Sequence, residues 1–348
     1  MRLVFLGLSI TSSWGNGHAT NYRALCSALR DRGHDVLFLE REKPWYASGR
    51  DFSPEWVRLY HTVEDLRAWE EDVGEADLVV VGSFVPDGIA VAEWVLETAR
   101  GPVAFWDIDT PVTAAALRRG ECEYLTPALV PRFDLYLSFT GGPLLDQLGA
   151  RRPHAFWCMV DASSYAPLPG EPRWQLGYLG TYAADRQPAL EELLILPARR
   201  RPGGRFAVAG PMYPDGVEWP ENVQRIENVP PREHPAFYSA QRFTLNLTRA
   251  DMVLAGWSPS VRLFEAAACA VPIVSDWWEG LDAFFEPGHE ILIAHDADDV
   301  LRFLTDVRED ERRRIGGRAR VRVLREHTAA KRAAELEKLV DVLEKATA

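Results

Sequence analysis

Apolar residues in this sequence occur in short runs separated by longer amphipathic stretches. The runs in the first half predict buried strands over residues 2–8, 35–39, 78–81, 103–106, 135–139 and 155–160. Helical spacing of apolar positions predicts helices between them, over 19–32, 89–99, 112–118 and 143–148. Apolar strands that alternate with amphipathic helices are typical of a parallel sheet with helices on both faces.

The same alternation starts again after residues 164–172, a stretch rich in proline that indicates an interdomain linker. The second series has predicted strands at 175–179, 206–209, 224–227, 243–246, 272–274 and 290–293. Its predicted helices are 188–195, 234–240, a helix starting at Ser258, and 298–307. The sequence therefore predicts an α/β protein with two Rossmann-like domains, 1–165 and 173–327, followed by an amphipathic C-terminal helix within 328–348. Dehydrogenases and periplasmic-type binding proteins share this pattern, so the function has to be inferred from the sequence motifs.

Residues 257–276 combine a helix start, a short helix and a buried strand. Ser258 is a favoured N-cap and Pro259 suits the first helical position. The amides of Ser260 and Val261 would then point out of the helix end and form an anion site, suited to a diphosphate.

One polar stripe crosses this apolar helix. At 100° per residue, Ser258, Arg262 and Glu265 fall on the same face. Glu265 would lie near the interior, where a carboxylate is costly unless something binds it, and a ribose diol roughly 10 Å from the phosphate end could do so. The alternative is a structural Glu265–Arg262 pair at i, i+3.

This order of cap, arginine, glutamate, small residues and Val-Pro strand resembles the donor-nucleotide segment of GT-B glycosyltransferases. Residues 258–290 resemble the CgeB-like family, which is related to glycosyltransferase families 1 and 4. The resemblance implies that Glu265 binds the donor ribose and that Ser260 and Arg262 lie beside the diphosphate. It also implies two Rossmann-like domains facing a cleft, with the C-terminal helix crossing back to the first domain. Retaining members of the related families carry a glutamate where this chain has Trp257, which argues for inversion.

Other residues of the second domain follow predicted strands at the carboxyl edge, where GT-B enzymes approach the donor diphosphate. Gly180 and Thr181 follow the first strand, and Arg186 could supply positive charge to a leaving group. Arg249 follows a later strand in the same way. The alternative for both arginines is simple solvation at the surface.

A polar loop between the first strand and first helix contains Gly15, Asn16, Gly17 and His18. Open α/β sheets bind ligands at this edge. A histidine at a helix N-terminus has a lowered pKa, which favours the neutral imidazole that a general base requires. The alternative for His18 is a capping role in the loop.

Asp107 and Asp109 follow the strand at 103–106, so they are expected at the same edge as His18. Asp109 precedes Thr-Pro and is equally an N-cap. The arrangement resembles the His–Asp pair of inverting family-one-type transferases, which implies that His18 is the base and Asp107 orients it. Asp109 would belong to the loop or the acceptor site.

Composition narrows the class of partner. The net charge of −12 argues against nucleic acid or an anionic membrane, and the arginine-rich segment 308–332 is interpreted as a solvated helix face rather than a binding patch. No apolar run approaches the roughly 20 residues that span a bilayer, so a cytoplasmic location is expected. The scattered cysteines are expected to be buried thiols: Cys26, Cys122, Cys158 and Cys269.

We expect a glycosyltransferase that moves a sugar from a nucleotide diphosphate donor, of the UDP type, to a small-molecule or glycan acceptor. No cofactor or metal is expected, because no set of residues with metal-ligand spacing stands out. A nucleotide-sugar epimerase of the same fold and a non-catalytic nucleotide- or glycan-binding protein are the alternatives. The sugar, the base of the donor, the acceptor and the oligomeric state are left open, with a UDP-type donor and a homodimer as the expectations.

Overall fold

The computed structural model describes residues 1–13, 17–47 and 49–347. The chain divides into two compact units: Met1–Met159 together with Ala329–Ala348, and Val160–Thr328. The boundary lies ahead of the proline-rich stretch interpreted as a linker. Part of that stretch packs into the second unit, because Tyr165 is 5% exposed and donates a hydrogen bond to Glu265.

Parallel strands form the sheet of the first unit. Over the described residues they are β1 (Arg2–Gly7), β2 (Asp35–Arg41), β3 (Val57–Tyr60), β4 (Leu78–Gly82), β5 (Val103–Asp107), β6 (Leu135–Ser138) and β7 (Pro153–Ala155). Their spatial order is β3-β2-β1-β4-β5-β6-β7. The order reverses between β1 and β4, so the loops after these strands diverge and leave a crevice at the carboxyl edge.

Two features of this sheet differ from the expectation. β3 was not predicted, because this four-residue strand is only partly buried and gives no continuous apolar run. The last strand is 153–155 rather than 155–160. The chain leaves the sheet there, since the amide of Met159 donates to the Asn21 side chain (3.0 Å).

The second unit contains another parallel sheet. In the part of the chain that is described, its strands are β8 (Trp174–Leu179), β9 (Phe206–Ala209), β10 (Val223–Ile226), β11 (Gln241–Asn246), β12 (Ile273–Ser275) and β13 (Leu292–Ile293). Their order is β10-β9-β8-β11-β12-β13, so the reversal falls between β8 and β11. The predicted pair of parallel α/β sheets is confirmed.

Helices connect the strands in both units. Those of the described residues are α1 (His18–Asp31), α2 (Pro44–Ala47), α3 (Glu70–Gly74), α4 (Gly88–Thr98), α5 (Thr110–Arg119), α6 (Gly142–Asp146), α7 (Gln187–Leu190), α8 (Leu196–Arg200), α9 (His234–Ser239), α10 (Ala250–Ala255), α11 (Val261–Ala268), α12 (Ala297–Asp306), α13 (Glu309–Glu326) and α14 (Ala329–Thr347). A π-helical turn at Glu191–Ile195 joins α7 to α8. None of these described helices is long and apolar enough to cross a membrane.

The last helix belongs to the first unit. α14 packs against α1 and buries Leu336 and Val340 completely. At its surface, Glu337 accepts hydrogen bonds from Arg32 (2.6 Å) and His34 (2.7 Å). Apolar burial and this ion pair together fix the end of the chain to the first helix.

The arginines of α13 are largely neutralised by neighbouring acids. Arg312 and Arg313 both pair with Glu309, and Arg314 pairs with Asp310. These i, i+3 and i, i+4 pairs agree with the interpretation of a solvated helix face. Three cysteines are buried and Cys122 is half-buried.

Candidate functional site

A buried cation lies at the carboxyl edge of the second sheet, where the strand order reverses. Arg262 of α11 is 8% exposed. Its Nε donates to the carbonyl of Leu179 at the end of β8 (2.5 Å), and its Nη1 donates to Oδ1 of Asn246 at the end of β11 (2.8 Å). The guanidinium lies 4.9 Å from the ring centroid of Tyr178, a cation–π contact. One arginine therefore joins the two strands that border the crevice.

The helix that carries Arg262 starts later than predicted. Ser260 is its N-cap residue and Val261 its first residue, so the predicted cap at Ser258 was wrong. Trp257 adopts a left-handed backbone (φ 48°) and its amide donates to the carbonyl of Glu279 (2.6 Å), which keeps the chain extended up to Ser260. Ser258 itself is buried.

The hydroxyl of Ser260 is not used as a helix cap. It donates to Oδ1 of Asn246 (2.8 Å). A helix that begins at Val261 leaves its first amide N–H groups without intrahelical acceptors. These amides and the positive end of the helix dipole favour an anion next to Arg262, through backbone rather than hydroxyl donors.

Glu265 lies one turn farther along α11 and is 4% exposed. Its Oε1 accepts a hydrogen bond from Tyr165 (3.0 Å) and its Oε2 accepts one from Tyr238 (3.2 Å). His234 Nδ1 lies 3.6 Å from Oε2. The alternative Glu265–Arg262 pair is therefore wrong, because Arg262 donates to the strand ends instead.

Both tyrosines remain neutral donors. Burial raises the pKa of Tyr165 and of Tyr238, and the negative charge of Glu265 raises each further. Periodicity could not have revealed these partners, since Tyr165 is 100 residues from Glu265 in the sequence.

Gly180 and Thr181 begin the loop after β8. A Cβ at Gly180 would lie 2.5 Å from Tyr178 Oη and 2.9 Å from Arg262 Nη2, so only glycine fits beside the guanidinium. The carbonyl of Thr181 accepts a hydrogen bond from Arg186 Nη2 (2.6 Å). Arg186 thus folds back onto the loop that borders Arg262.

Arg249 follows β11 at the same edge. Its Nε lies 3.6 Å from Oδ2 of Asp185, in a partly exposed ion pair. The same oxygen accepts the amide of Ala250 (3.0 Å). Asp185 therefore links the loop after β8 to the segment after β11, close to Arg186 in the chain.

His18 lies at the reversal point of the first sheet. It begins α1 behind Gly17, and its ring centroid is 5.4 Å from that of Phe84. Phe84 follows β4 in a left-handed conformation (φ 63°), a strained backbone of the kind found at functional sites. Burial lowers the pKa of His18 to about 4, so its imidazole is neutral at pH 7. Gly15 and Asn16, predicted for the same loop, lie outside the described residues.

Asp107 is fully buried at the end of β5. Its Oδ2 accepts from Tyr136 (2.7 Å) and its Oδ1 from Thr113 (2.7 Å), while burial raises its pKa. The sequence predicted that Asp107 would orient His18. Among the described residues, its side-chain partners are instead Tyr136 and Thr113. Asp109 is the N-cap residue of α5, the position that its alternative interpretation predicted, but its side chain makes no capping hydrogen bond.

Sequence reasoning missed Glu40, which shapes the loop leading towards His18. This carboxylate at the end of β2 is 1% exposed. It accepts hydrogen bonds from the amides of Ile10 (2.7 Å) and Thr11 (2.9 Å), and from the hydroxyls of Ser9 (3.1 Å) and Thr11 (2.7 Å). A charged residue at the carboxyl end of a predicted buried strand was the available signal.

The C-terminal part of the chain is similar to a known protein family. Residues 186–338 match a family model described as glycosyl transferase-like, which covers α11 and the loops around it. No curated protein matches the chain. The finer CgeB-like resemblance stays a prediction.

Solved structures match over nearly the whole chain. Sucrose-phosphate synthase from Thermosynechococcus elongatus has 15% identity and a TM-score of 0.71, covering 99% of this chain and 100% of its own. HepE from Anabaena in complex with UDP and glucose has 14% identity and a TM-score of 0.71, with coverage of 99% and 100%. An α-glucosyltransferase in complex with UDP-glucose and DNA containing an abasic site has 12% identity and a TM-score of 0.73, with coverage of 97% and 98%. At such identities the likeness establishes architecture: the chain has the GT-B fold of glycosyltransferases, with a glycosyl transferase-like region over residues 186–338.

Proposed function

We propose that this protein is a glycosyltransferase that takes a sugar from a UDP-sugar bound at the carboxyl edge of the second sheet. The observation that carries the proposal is the buried Arg262 guanidinium, which joins β8 to β11 at the reversal point beside the start of α11. Ligands of open α/β sheets bind at this point. Uridine is proposed because similar solved structures hold UDP or UDP-glucose.

The diphosphate is the leaving group of the proposed reaction and gains negative charge as the sugar departs. Arg262 and the first amides of α11 supply fixed positive potential where that charge develops. Arg186 and Arg249 lie in the loops after β8 and β11, within reach of the same edge. We therefore propose transfer without a metal ion.

The ribose of the donor is assigned to Glu265. A carboxylate offers about four lone-pair directions, and Tyr165 and Tyr238 use one on each oxygen. Ribose hydroxyls would take the remaining directions or replace a tyrosine. This deep carboxylate lies about one helical turn beyond the first residue of α11, closer than the roughly 10 Å expected, because the helix starts at Val261.

The proton acceptor is assigned to His18, with inversion at the anomeric carbon. Its neutral imidazole at the crevice of the first sheet has the protonation state that a base needs. Asp107 is assigned an indirect role, since its hydrogen bonds tie the end of β5 to Tyr136 of β6 and to Thr113 of α5.

The acceptor is proposed to be a small molecule or a glycan. Several solved structures of the same fold contain DNA. In the present chain, a net charge of −12 and the acid-paired arginines of α13 oppose attraction of a phosphate backbone.

The test is to titrate UDP by calorimetry and to follow UDP release from a panel of UDP-sugars and acceptors, all in EDTA. We expect UDP binding and acceptor-dependent turnover in the chelator. Activity lost in EDTA and restored by Mg²⁺ or Mn²⁺ would contradict the metal-free mechanism. Epimerised UDP-sugar without acceptor would indicate the epimerase, and binding without any turnover would indicate the binding protein.

A further inference from the structure

One buried side-chain amide, that of Asn246, connects Arg262 to the N-cap of α11. Asn246 is the last residue of β11 and is completely buried. Its Oδ1 accepts from Ser260 Oγ (2.8 Å) and from Arg262 Nη1 (2.8 Å). Its Nδ2 donates to Ser275 Oγ (2.9 Å) and to Thr248 Oγ1 (3.3 Å). All hydrogen-bonding positions of the amide are therefore in use.

The hydrogen bonds around this amide run in one direction. Arg262 can only donate, so Oδ1 must face it, and a flipped amide would place Nδ2 against the guanidinium. On the other side, the hydroxyls that accept from Nδ2 donate in turn to Oδ1 of Asp276: Thr248 at 2.8 Å and Ser275 at 3.3 Å. The network therefore begins at a cation, ends at a carboxylate and has one orientation.

The two groups that Asn246 holds are the ones that border the anion site. Ser260 is the N-cap residue of α11, so its position sets the direction of the first helical amides. Arg262 donates its other strong hydrogen bond to the carbonyl of Leu179 at the end of β8. Without Asn246, the guanidinium would keep one carbonyl at 2.5 Å and a longer contact to the Leu247 carbonyl at 3.4 Å.

We propose that Asn246 is the positioning residue of the diphosphate site: it fixes the Arg262 guanidinium and the start of α11 in the orientation that receives the two phosphates. This inference rests on the proposed function, because it concerns the phosphates of the same donor. Asn246 acts through Arg262 and Ser260 and does not itself touch the nucleotide.

Two substitutions separate positioning from packing. Asn246→Ala removes the amide and releases both Ser260 and Arg262. Asn246→Asp keeps the shape and both acceptor bonds, but it places a negative charge 2.8 Å from Arg262, where it competes with the phosphates. The second variant remains informative if the first does not fold.

Asn222 provides the matched control at the opposite edge of the sheet. Its Nδ2 donates to the carbonyls of Ala198 (3.1 Å), Arg201 (3.0 Å) and Gly204 (3.1 Å), just before β10. Asn222→Ala should therefore lower stability through the same kind of loss, while leaving the carboxyl edge intact.

The experiment measures two ligands that differ only in phosphate. UDP is titrated by calorimetry and uridine by saturation-transfer NMR, for wild type and all three variants, with thermal unfolding as the folding check. We expect the Asn246 variants to lose about tenfold or more in UDP affinity, the scale of one charged hydrogen bond. Uridine affinity should change by less than about threefold in every variant, and UDP affinity should be unchanged in Asn222→Ala.

The outcomes are distinguishable. Equal losses for UDP and uridine would reduce Asn246 to a structural residue and overturn the inference. So would UDP binding within twofold of wild type in a folded Asn246→Asp variant. Failure of the wild-type protein to bind UDP at all would instead overturn the proposed function, and this inference with it.

Discussion

Two side chains at the carboxyl edges have opposite electrostatic roles. Arg262 is a buried cation held by a carbonyl and an amide oxygen. His18 is a neutral imidazole, because burial lowers its pKa to about 4 from an ordinary 6.5. The first suits an anion that stays bound, and the second suits a group that accepts a proton.

The first prediction concerns His18. His18→Ala should lower kcat by about 10² to 10⁴ while leaving UDP affinity nearly unchanged, because a general base acts on the acceptor hydroxyl alone. In wild type the rate should hold from pH 7 down towards pH 4, since the imidazole takes up its proton only near its lowered pKa. Initial rates across this range, with calorimetric UDP titration, check both points.

Glu265→Gln provides the converse control. It keeps the shape of the side chain but removes the charge that receives Tyr165, Tyr238 and the ribose, so UDP affinity should fall while the pH profile is kept. Retained anomeric configuration in the product, read by NMR, would contradict a single displacement assisted by His18.

The same histidine links pH to stability. Its folded-state pKa lies below the ordinary value, so the unfolded chain binds the proton first as the pH falls. The contribution of His18 to stability is complete above pH 6.5 and is lost as the pH falls from 6.5 towards 4.

The sequence predicted individual residues of the site more successfully than the residues that they contact. The stripe with Arg262 and Glu265 followed from helical spacing, and both are buried as expected. Their partners, Asn246 and Tyr165, lie 16 and 100 residues away, and only the folded sheet brings them together.

At the scale of elements, the start of α11 depends on two glycines. Gly256 (φ 64°), directly before Trp257, and Gly280 (φ 88°) both have positive φ. A Cβ at Gly280 would lie 2.4 Å from the indole. The Ser-Pro pair therefore resembles a helix start in the sequence, whereas this packing delays the helix to Val261.

The second prediction tests the close approach of the β8 loop to α11. In Gly180→Ala, the methyl group would lie 2.5 Å from Tyr178 Oη and 2.9 Å from Arg262 Nη2, so the tyrosine ring and the guanidinium that it contacts would have to move. We expect a loss of about 1 to 3 kcal/mol in the free energy of unfolding, typical of overpacking, and weaker UDP binding. Urea unfolding and calorimetry measure the two effects.

Gly203→Ala is the matched control, because a Cβ there meets no atom within 4 Å. It should leave both quantities close to wild type. If Gly180→Ala behaved like this control, the loop would not be as closely packed against Arg262 as described.

Elements were predictable wherever burial was continuous. The sequences of β1, β4 and β5 are apolar runs, and each strand is almost wholly buried. β3 could not be predicted, since its four residues mix exposed and buried positions and, among the described strands, it pairs with β2 alone at the sheet edge. Pairing with a neighbour, rather than local pattern, defines such a strand.

At the scale of the whole molecule, the first unit is assembled from both ends of the chain. The third prediction follows from this. Leu336 of α14 is fully buried, so Leu336→Ala should cost about 2 to 5 kcal/mol. Hydrogen exchange should show faster opening of the sheet β1–β7, while β8–β13 keep their protection.

Val342 lies on the same helix but is 60% exposed. Val342→Ala should therefore change stability by no more than about 0.5 kcal/mol. Faster exchange confined to residues 160–328 in Leu336→Ala would contradict the division into units.

The position of α14 also determines an order of events during synthesis. Residues 160–328 are synthesised as one uninterrupted segment ahead of α14, so the second unit receives its last residues before the first unit does. The first unit leaves the ribosome earlier but must wait for its last helix, with the face of α1 that receives Leu336 and Val340 open to solvent. The unit translated first is thus completed last, and in this interval a chaperone would have a defined apolar surface to protect.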